Sequence, residues 1–184
     1  MSKCKAVVAA VAVMIGSVAA QAQQDVPLIS REVLFGNPDR AGVQISPDGS
    51  HLSFLAPVDG VLNVWVGPAD DPGAAKPVTN DRFRGIRSYF WAYSNSEILY
   101  LQDEGGDEDW KVYSTNIESG ETRNLTPFDS IPDPATGEPR IDPNTGRTLR
   151  PTARIQDVSH RFPGDILIGL NNRDPRWHDI YKVD

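Results

Sequence analysis

The side chains that could do chemistry are few and scattered. The histidines His51, His160 and His178 stand far apart. None is at metal-ligand spacing with another, and none adjoins a serine in a nucleophile context. His51 and His178 fall beside turn signals and read as solvated turn residues. Asp103-Glu-Gly-Gly-Asp-Glu-Asp109 gathers carboxylates around two glycines, chemistry that attracts Ca²⁺. It lacks the D-x-[DN]-x-[DN]-G-x5-E order of a calcium loop and reads as an acidic hairpin in solvent. Arg82, Arg84 and Arg87 crowd one connection. A guanidinium can clamp a peptide carboxylate through two parallel hydrogen bonds, so these three are the candidate substrate-channel contacts, with surface solubility as the competing reading. No metal or cofactor site is expected. The single cysteine, Cys4, excludes a disulfide framework and a Cys-rich metal centre. There is no G-x-S-x-G segment and no βαβ alternation, so no catalytic residue is assigned.

What must position these residues is a chain of 184 residues with 18 Lys and Arg against 25 Asp and Glu, a net charge of −7. That acidity argues against a nucleic-acid surface, which needs clustered cations. An apolar fraction of 39% supports a packed core. Residues 1–22 read as a signal peptide. Lys3 and Lys5 precede the apolar run Ala6–Ala20, and Ala20-Gln21-Ala22 supplies a small-x-small cleavage site, with cleavage before Gln23. The run is short of the roughly 20 residues that span a bilayer, so membrane contact is expected only in transit. Cys4 lies ahead of the run and is not placed for lipid attachment. The expectation is an exported protein, periplasmic or secreted.

Beyond the signal, Val33-Leu34-Phe35 between Ser30 and Gly36 predicts one helical turn. Everything after it reads as short strands separated by Gly, Pro, Asn and Asp, and it repeats. Ile45 to Leu55 aligns with Trp91 to Leu101, Val64-Trp65-Val66 with Val112-Tyr113-Ser114, and Pro77-Val78-Thr79 with Asn124-Leu125-Thr126. The period is about 47 residues, that of a four-stranded propeller blade. A third copy carries Ile166-Leu167-Ile168-Gly169 and Ile180-Tyr181. Ser46-Pro-Asp-Gly49 is a strong turn, with Asn95 in the place of Gly49. The fold expected is therefore all-β, a partial β-propeller of about three four-stranded blades, the third incomplete. Residues 23–184 form the domain, with blades at about 41–80, 86–127 and 152–184. The insert 129–151, with turns at Asp133–Gly137 and Asp142–Gly146, predicts a small surface hairpin. Trp65, Trp91, Trp110 and Trp177 are expected in inter-blade packing. Asn124-Leu-Thr126 matches a glycosylation pattern by chance. Closed propellers use about 4 to 8 blades. A three-blade arc therefore predicts an unfinished ring with two apolar end faces.

The Ser46–Gly49 turn followed by Leu52-Ser-Phe54 resembles the repeat of TolB-type propellers. Pro27–Gly49, Gly85–Tyr93 and Asn171–Asp184 together resemble the N-terminal propeller of exported bacterial peptidases of the prolyl oligopeptidase family, the acylaminoacyl-peptidase and dipeptidyl-aminopeptidase relatives. The likeness runs from Pro27 to Asp184, the Asp129–Pro151 insert aside. It implies a C-terminal α/β-hydrolase domain with a Ser, Asp and His triad as covalent partner, peptides as substrates, and a propeller that filters them by size. None of the triad maps onto this sequence, so the chain alone is expected to be inactive. The reading from another class is a stand-alone exported binding module that assembles through its own end faces.

Overall fold

The computed structural model describes residues 28–36 and 39–184; the signal-peptide reading of residues 1–22 lies outside them. In the N-terminal unit α1 spans Arg31–Phe35. Ser30 caps it, its Oγ accepting from the Val33 amide at 3.3 Å and its carbonyl from the Leu34 amide at 3.2 Å.

The remaining chain forms three antiparallel sheets in sequence order. Sheet 1 is β1 (Ala41–Ile45), β2 (His51–Val58), β3 (Val61–Pro68) and β4 (Lys76–Pro77). Sheet 2 is β5 (Tyr89–Trp91), β6 (Glu97–Gln102), β7 (Lys111–Asn116) and β8 (Thr122–Asn124). Sheet 3 is β9 (Ala153–Ser159), β10 (Phe162–Asp174) and β11 (Trp177–Val183). Each is a meander whose strands pair with their sequence neighbours, as a propeller blade requires.

The repeat has physical causes at matched positions. Gly49 takes a φ of 76° in the first β1–β2 turn, and Asn95 takes 64° at the same place in sheet 2. Asn is the side chain best tolerated there after glycine. The two turns also touch, since the Asp48 amide donates to Asn95 Oδ1 at 3.0 Å. Phe54 opposes Trp65 and Tyr100 opposes Tyr113 in register; the ring pairs stack at 6.4 Å and 5.5 Å. Ile168 and Tyr181 hold the corresponding register in sheet 3. The Thr79 hydroxyl accepts from the Val64 amide and that of Thr126 from the Val112 amide, closing the outer edge of sheets 1 and 2 alike. Because Asn124 Oδ1 also accepts from the Thr126 amide, the glycosylation-like triplet serves to close a blade.

Strand alternation sends alternate residues of sheet 2 to opposite neighbours. Trp91, Ile98 and Tyr100 pack with Leu55, Val64, Val66 and Tyr89 between sheets 1 and 2. Ala92, Leu99 and Val112 pack with Ala153, Ile166, Ile168 and Leu170 between sheets 2 and 3. Each fully buried aliphatic side chain contributes roughly 1.5–3 kcal/mol. A polar node sits inside the first interface. Trp91 Nε1 donates to Ser53 Oγ at 2.8 Å, Ser53 Oγ lies 2.9 Å from Tyr89 Oη, and Tyr89 Oη donates to the Gly42 carbonyl at 2.7 Å.

Several expectations need correction. The end face of sheet 1 is covered in part by its own residues: Phe54 is buried under Trp65, and the Arg40 guanidinium lies 4.7 Å above its ring. Ile45 on that face stays 61% exposed. Trp177 belongs to neither buried cluster among the described residues and is mostly exposed. His178 lies on β11, half-buried, with Nε2 3.4 Å from Thr152 Oγ1, and burial first and Arg154 second lower its pKa. His51 lies on β2, its Nδ1 2.8 Å from Ser50 Oγ. The insert is no single hairpin. Ile131 donates to the Leu149 carbonyl, Leu149 to that of Arg140, and Arg140 to that of Ile131, a closed backbone ring. Asp133 and Asp142 cap the two turns through their carboxylates, and Ile131 is fully buried.

Candidate functional site

The arginine-bearing connection between sheets 1 and 2 is held rigidly. Asn63, fully buried on β3, accepts from the Thr79 hydroxyl at 2.9 Å and the Asp81 amide at 2.7 Å through Oδ1. Its Nδ2 donates to the Asp81 carbonyl at 2.9 Å. The Asp81 carboxylate in turn accepts from the amides of Phe83 and Gly85. Gly85 sits at a φ of 77°, and a Cβ there would stand 3.0 Å from the Leu62 amide nitrogen, so glycine is needed. Ile86, 1% exposed, then donates to the Leu62 carbonyl at 2.8 Å and anchors the segment in the core.

This segment borders a cavity of about 400 Å³ lined by sheets 2 and 3 and their connections. Arg84 and Arg87 line it; Arg82 does not. Leu101 and Asp103 enter from the end of β6, Glu108 and Trp110 from the loop before β7, and Arg154 from the start of β9. The Ala153 amide donates to the Trp110 carbonyl at 2.7 Å and fixes the separation of the two walls. Arg84 is already engaged, with Nε 3.4 Å from Asp103 Oδ1, and the Asp103 side chain is 2% exposed. The Glu108 amide donates to Asp103 Oδ2 at 3.4 Å.

The acidic segment Asp103–Asp109 is not simply solvated. Arg84 holds its start, and Arg150 from the end of the insert approaches Asp107 at 3.3 Å and Asp109 at 3.8 Å. Burial, then the neighbouring Asp107, raises the pKa of Asp109. Among the described residues no group of three or more His, Cys, Asp or Glu is arranged to hold a metal ion. The sequence singled out Arg84 and Arg87 but missed Arg154. Arg154 joins them only because β9 packs beside β6 and β7, a contact between segments distant in sequence.

No family model matches the chain. Dipeptidyl aminopeptidase BIII of Pseudoxanthomonas mexicana is 52% identical over 157 residues, which is 85% of this chain and 20% of that protein. Dipeptidyl peptidase family member 6 of Caenorhabditis elegans is 28% identical over 161 residues, 86% of this chain and 20% of that one. The chain thus spans about a fifth of the length of these relatives. Among solved structures, the acylaminoacyl peptidase of Pyrococcus horikoshii superposes with a TM-score of 0.50 at 17% identity. That match covers 80% of this chain and 24% of the other, and it establishes the fold alone.

Proposed function

We propose that this chain, a propeller-bladed homologue of a dipeptidyl aminopeptidase, is the non-catalytic propeller portion of an exported serine peptidase of prolyl oligopeptidase type. Its work is steric: it limits by size which peptides reach a C-terminal α/β-hydrolase domain joined to it. The observation that carries this reading is 52% identity to a peptidase along 85% of a chain that contains no G-x-S-x-G segment. Export rests on the N-terminal sequence pattern of residues 1–22. The test is a chimera in which residues 28–184 replace the matching segment of dipeptidyl aminopeptidase BIII. The expected product folds, hydrolyses a dipeptidyl naphthylamide and spares an unfolded protein of ordinary length. A folded chimera that degrades that protein as readily as the small substrate overturns the filter, and one that fails to fold overturns the equivalence.

The second reading, a stand-alone module that assembles with itself, draws on the exposed end faces at Ile45 and Ile180. It requires a discrete oligomer in light scattering.

A further inference from the structure

We infer that the cavity bordered by sheets 2 and 3 is a carboxylate-binding site, and that its ligand is the α-carboxylate of a short peptide. The identity of the ligand as a peptide rests on the peptidase reading above; the preference for a carboxylate rests on the cavity alone.

The cavity's size, about 400 Å³, lies within the range of small-ligand sites and accommodates a molecule on the scale of a dipeptide. Its walls carry Arg84, Arg87 and Arg154 against Asp103 and Glu108. Arg84 and Asp103 neutralise each other across 3.4 Å. Among the charged residues that line the cavity, that leaves Arg87 and Arg154 against Glu108, an excess of positive charge. Among the described residues neither Arg87 nor Arg154 makes an ion pair or a side-chain hydrogen bond. Arg87 and Arg154 are both exposed and reachable from solvent, and guanidinium groups recognise carboxylates through paired hydrogen bonds. Leu101, Trp110 and Ala153 give the same cavity an apolar wall for the rest of the ligand. The backbone that carries these arginines is held in place. The Asn63, Asp81 and Gly85 contacts hold the Arg84–Arg87 segment, and the bond from the Ala153 amide to the Trp110 carbonyl holds the start of β9.

The test is calorimetric titration of the full chain at low ionic strength with the dipeptide Ala-Ala and with its C-terminal amide. Saturable binding of the acid is expected, with the amide at least about tenfold weaker, as loss of a charge-assisted pair implies. Arg87→Gln and Arg154→Gln each lose about tenfold for the acid, whereas Arg82→Gln, outside the cavity, binds like the parent. Circular dichroism checks that each variant is folded. Equal binding of acid and amide, unchanged binding by both cavity variants, or no saturable binding overturns the inference. N-acetylglycine separates the two halves of the claim: binding well below that of Ala-Ala supports a peptide ligand, and equal binding overturns it. The chimera reports separately. An active chimera without binding removes only this site, and an inactive one with binding intact removes the peptidase reading.

Discussion

Ser53 and Ser114 are both buried in strand interiors, at 0% and 1% exposure, yet the same substitution is expected to destabilise the protein at the first and not at the second. Ser53 Oγ is the hub of the node between sheets 1 and 2: it accepts from Trp91 Nε1 at 2.8 Å, contacts Tyr89 Oη at 2.9 Å and reaches the Gln44 carbonyl at 3.3 Å. Ser53→Ala strands the indole N–H of Trp91, which is 5% exposed. Leaving one buried donor unpaired costs about 1–3 kcal/mol. Ser114 Oγ, by contrast, is buried with no hydrogen-bond partner among the described residues. Ser114→Ala removes an unsatisfied polar atom, so stability is unchanged or rises by up to about 1 kcal/mol. Urea titrations followed by tryptophan fluorescence measure both. With slopes of about 1–3 kcal/mol per molar, Ser53→Ala lowers the midpoint by roughly 1 M and Ser114→Ala does not lower it. If the serine in the second sheet proves as costly to remove as that in the first, the hydrogen-bond account of the interface is wrong.

Asp48 has its pKa lowered to about 2, chiefly by the Ser46 hydroxyl and then by the Ser50 amide and hydroxyl. A depressed carboxyl stabilises the fold fully above its ordinary value of 3.8, and that contribution is lost as pH falls toward about 2. The melting-temperature gap between the parent and Asp48→Asn should therefore be constant above about pH 5 and close between pH 4 and 2; a gap independent of pH contradicts this. Asn63→Ala orphans the Asp81 amide and the Thr79 hydroxyl, with an expected cost of about 2–3 kcal/mol, faster amide exchange at Ile86 and weaker carboxylate binding. Unchanged exchange at Ile86 would show that the arginine segment is held by something else. Ile131→Ala, in a stretch that reads as a surface loop, is expected to cost about 2–4 kcal/mol in the same urea assay, as a core isoleucine would. A loss under about half a kcal/mol would mean the backbone ring stands without its apolar centre.

Much of the fold is legible in the sequence because blades are local. Each hairpin joins neighbours in the chain, so the Ser46–Gly49 turn, the glycine-like Asn95 and the alternation of Ile98 and Tyr100 with Leu99 and Leu101 predict strands and faces together. Trp65 and Tyr113 fall at matching places in the repeat, but their stacking on Phe54 and Tyr100 within a sheet was not read from it. What escaped was long-range. Nothing local joins Arg150 to Asp107, Lys111 to Asp129, or Arg154 to the cavity, because each pair meets only when separate segments pack. The insert escaped for another reason. Two Pro- and Gly-bounded turns do predict corners, but the ring through Ile131, Arg140 and Leu149 depends on backbone bonds that leave no mark on side-chain pattern.

The repeat also supplies the sharpest test of the propeller account. Val64 and Val112, at matching positions of sheets 1 and 2, are 0% exposed beneath the sheet that follows each, whereas Ile180 at that position of sheet 3 is 58% exposed. If these sheets are consecutive blades of a longer peptidase propeller, a further blade covers Ile180 in the intact protein. The measurement is the maleimide labelling rate of Ile180→Cys in a Cys4→Ser background, compared between this chain alone and the dipeptidyl aminopeptidase chimera. The account predicts rapid labelling of the chain and labelling slower by about a hundredfold or more in the chimera, as burial of the thiol requires. Equal rates in the two proteins would contradict it.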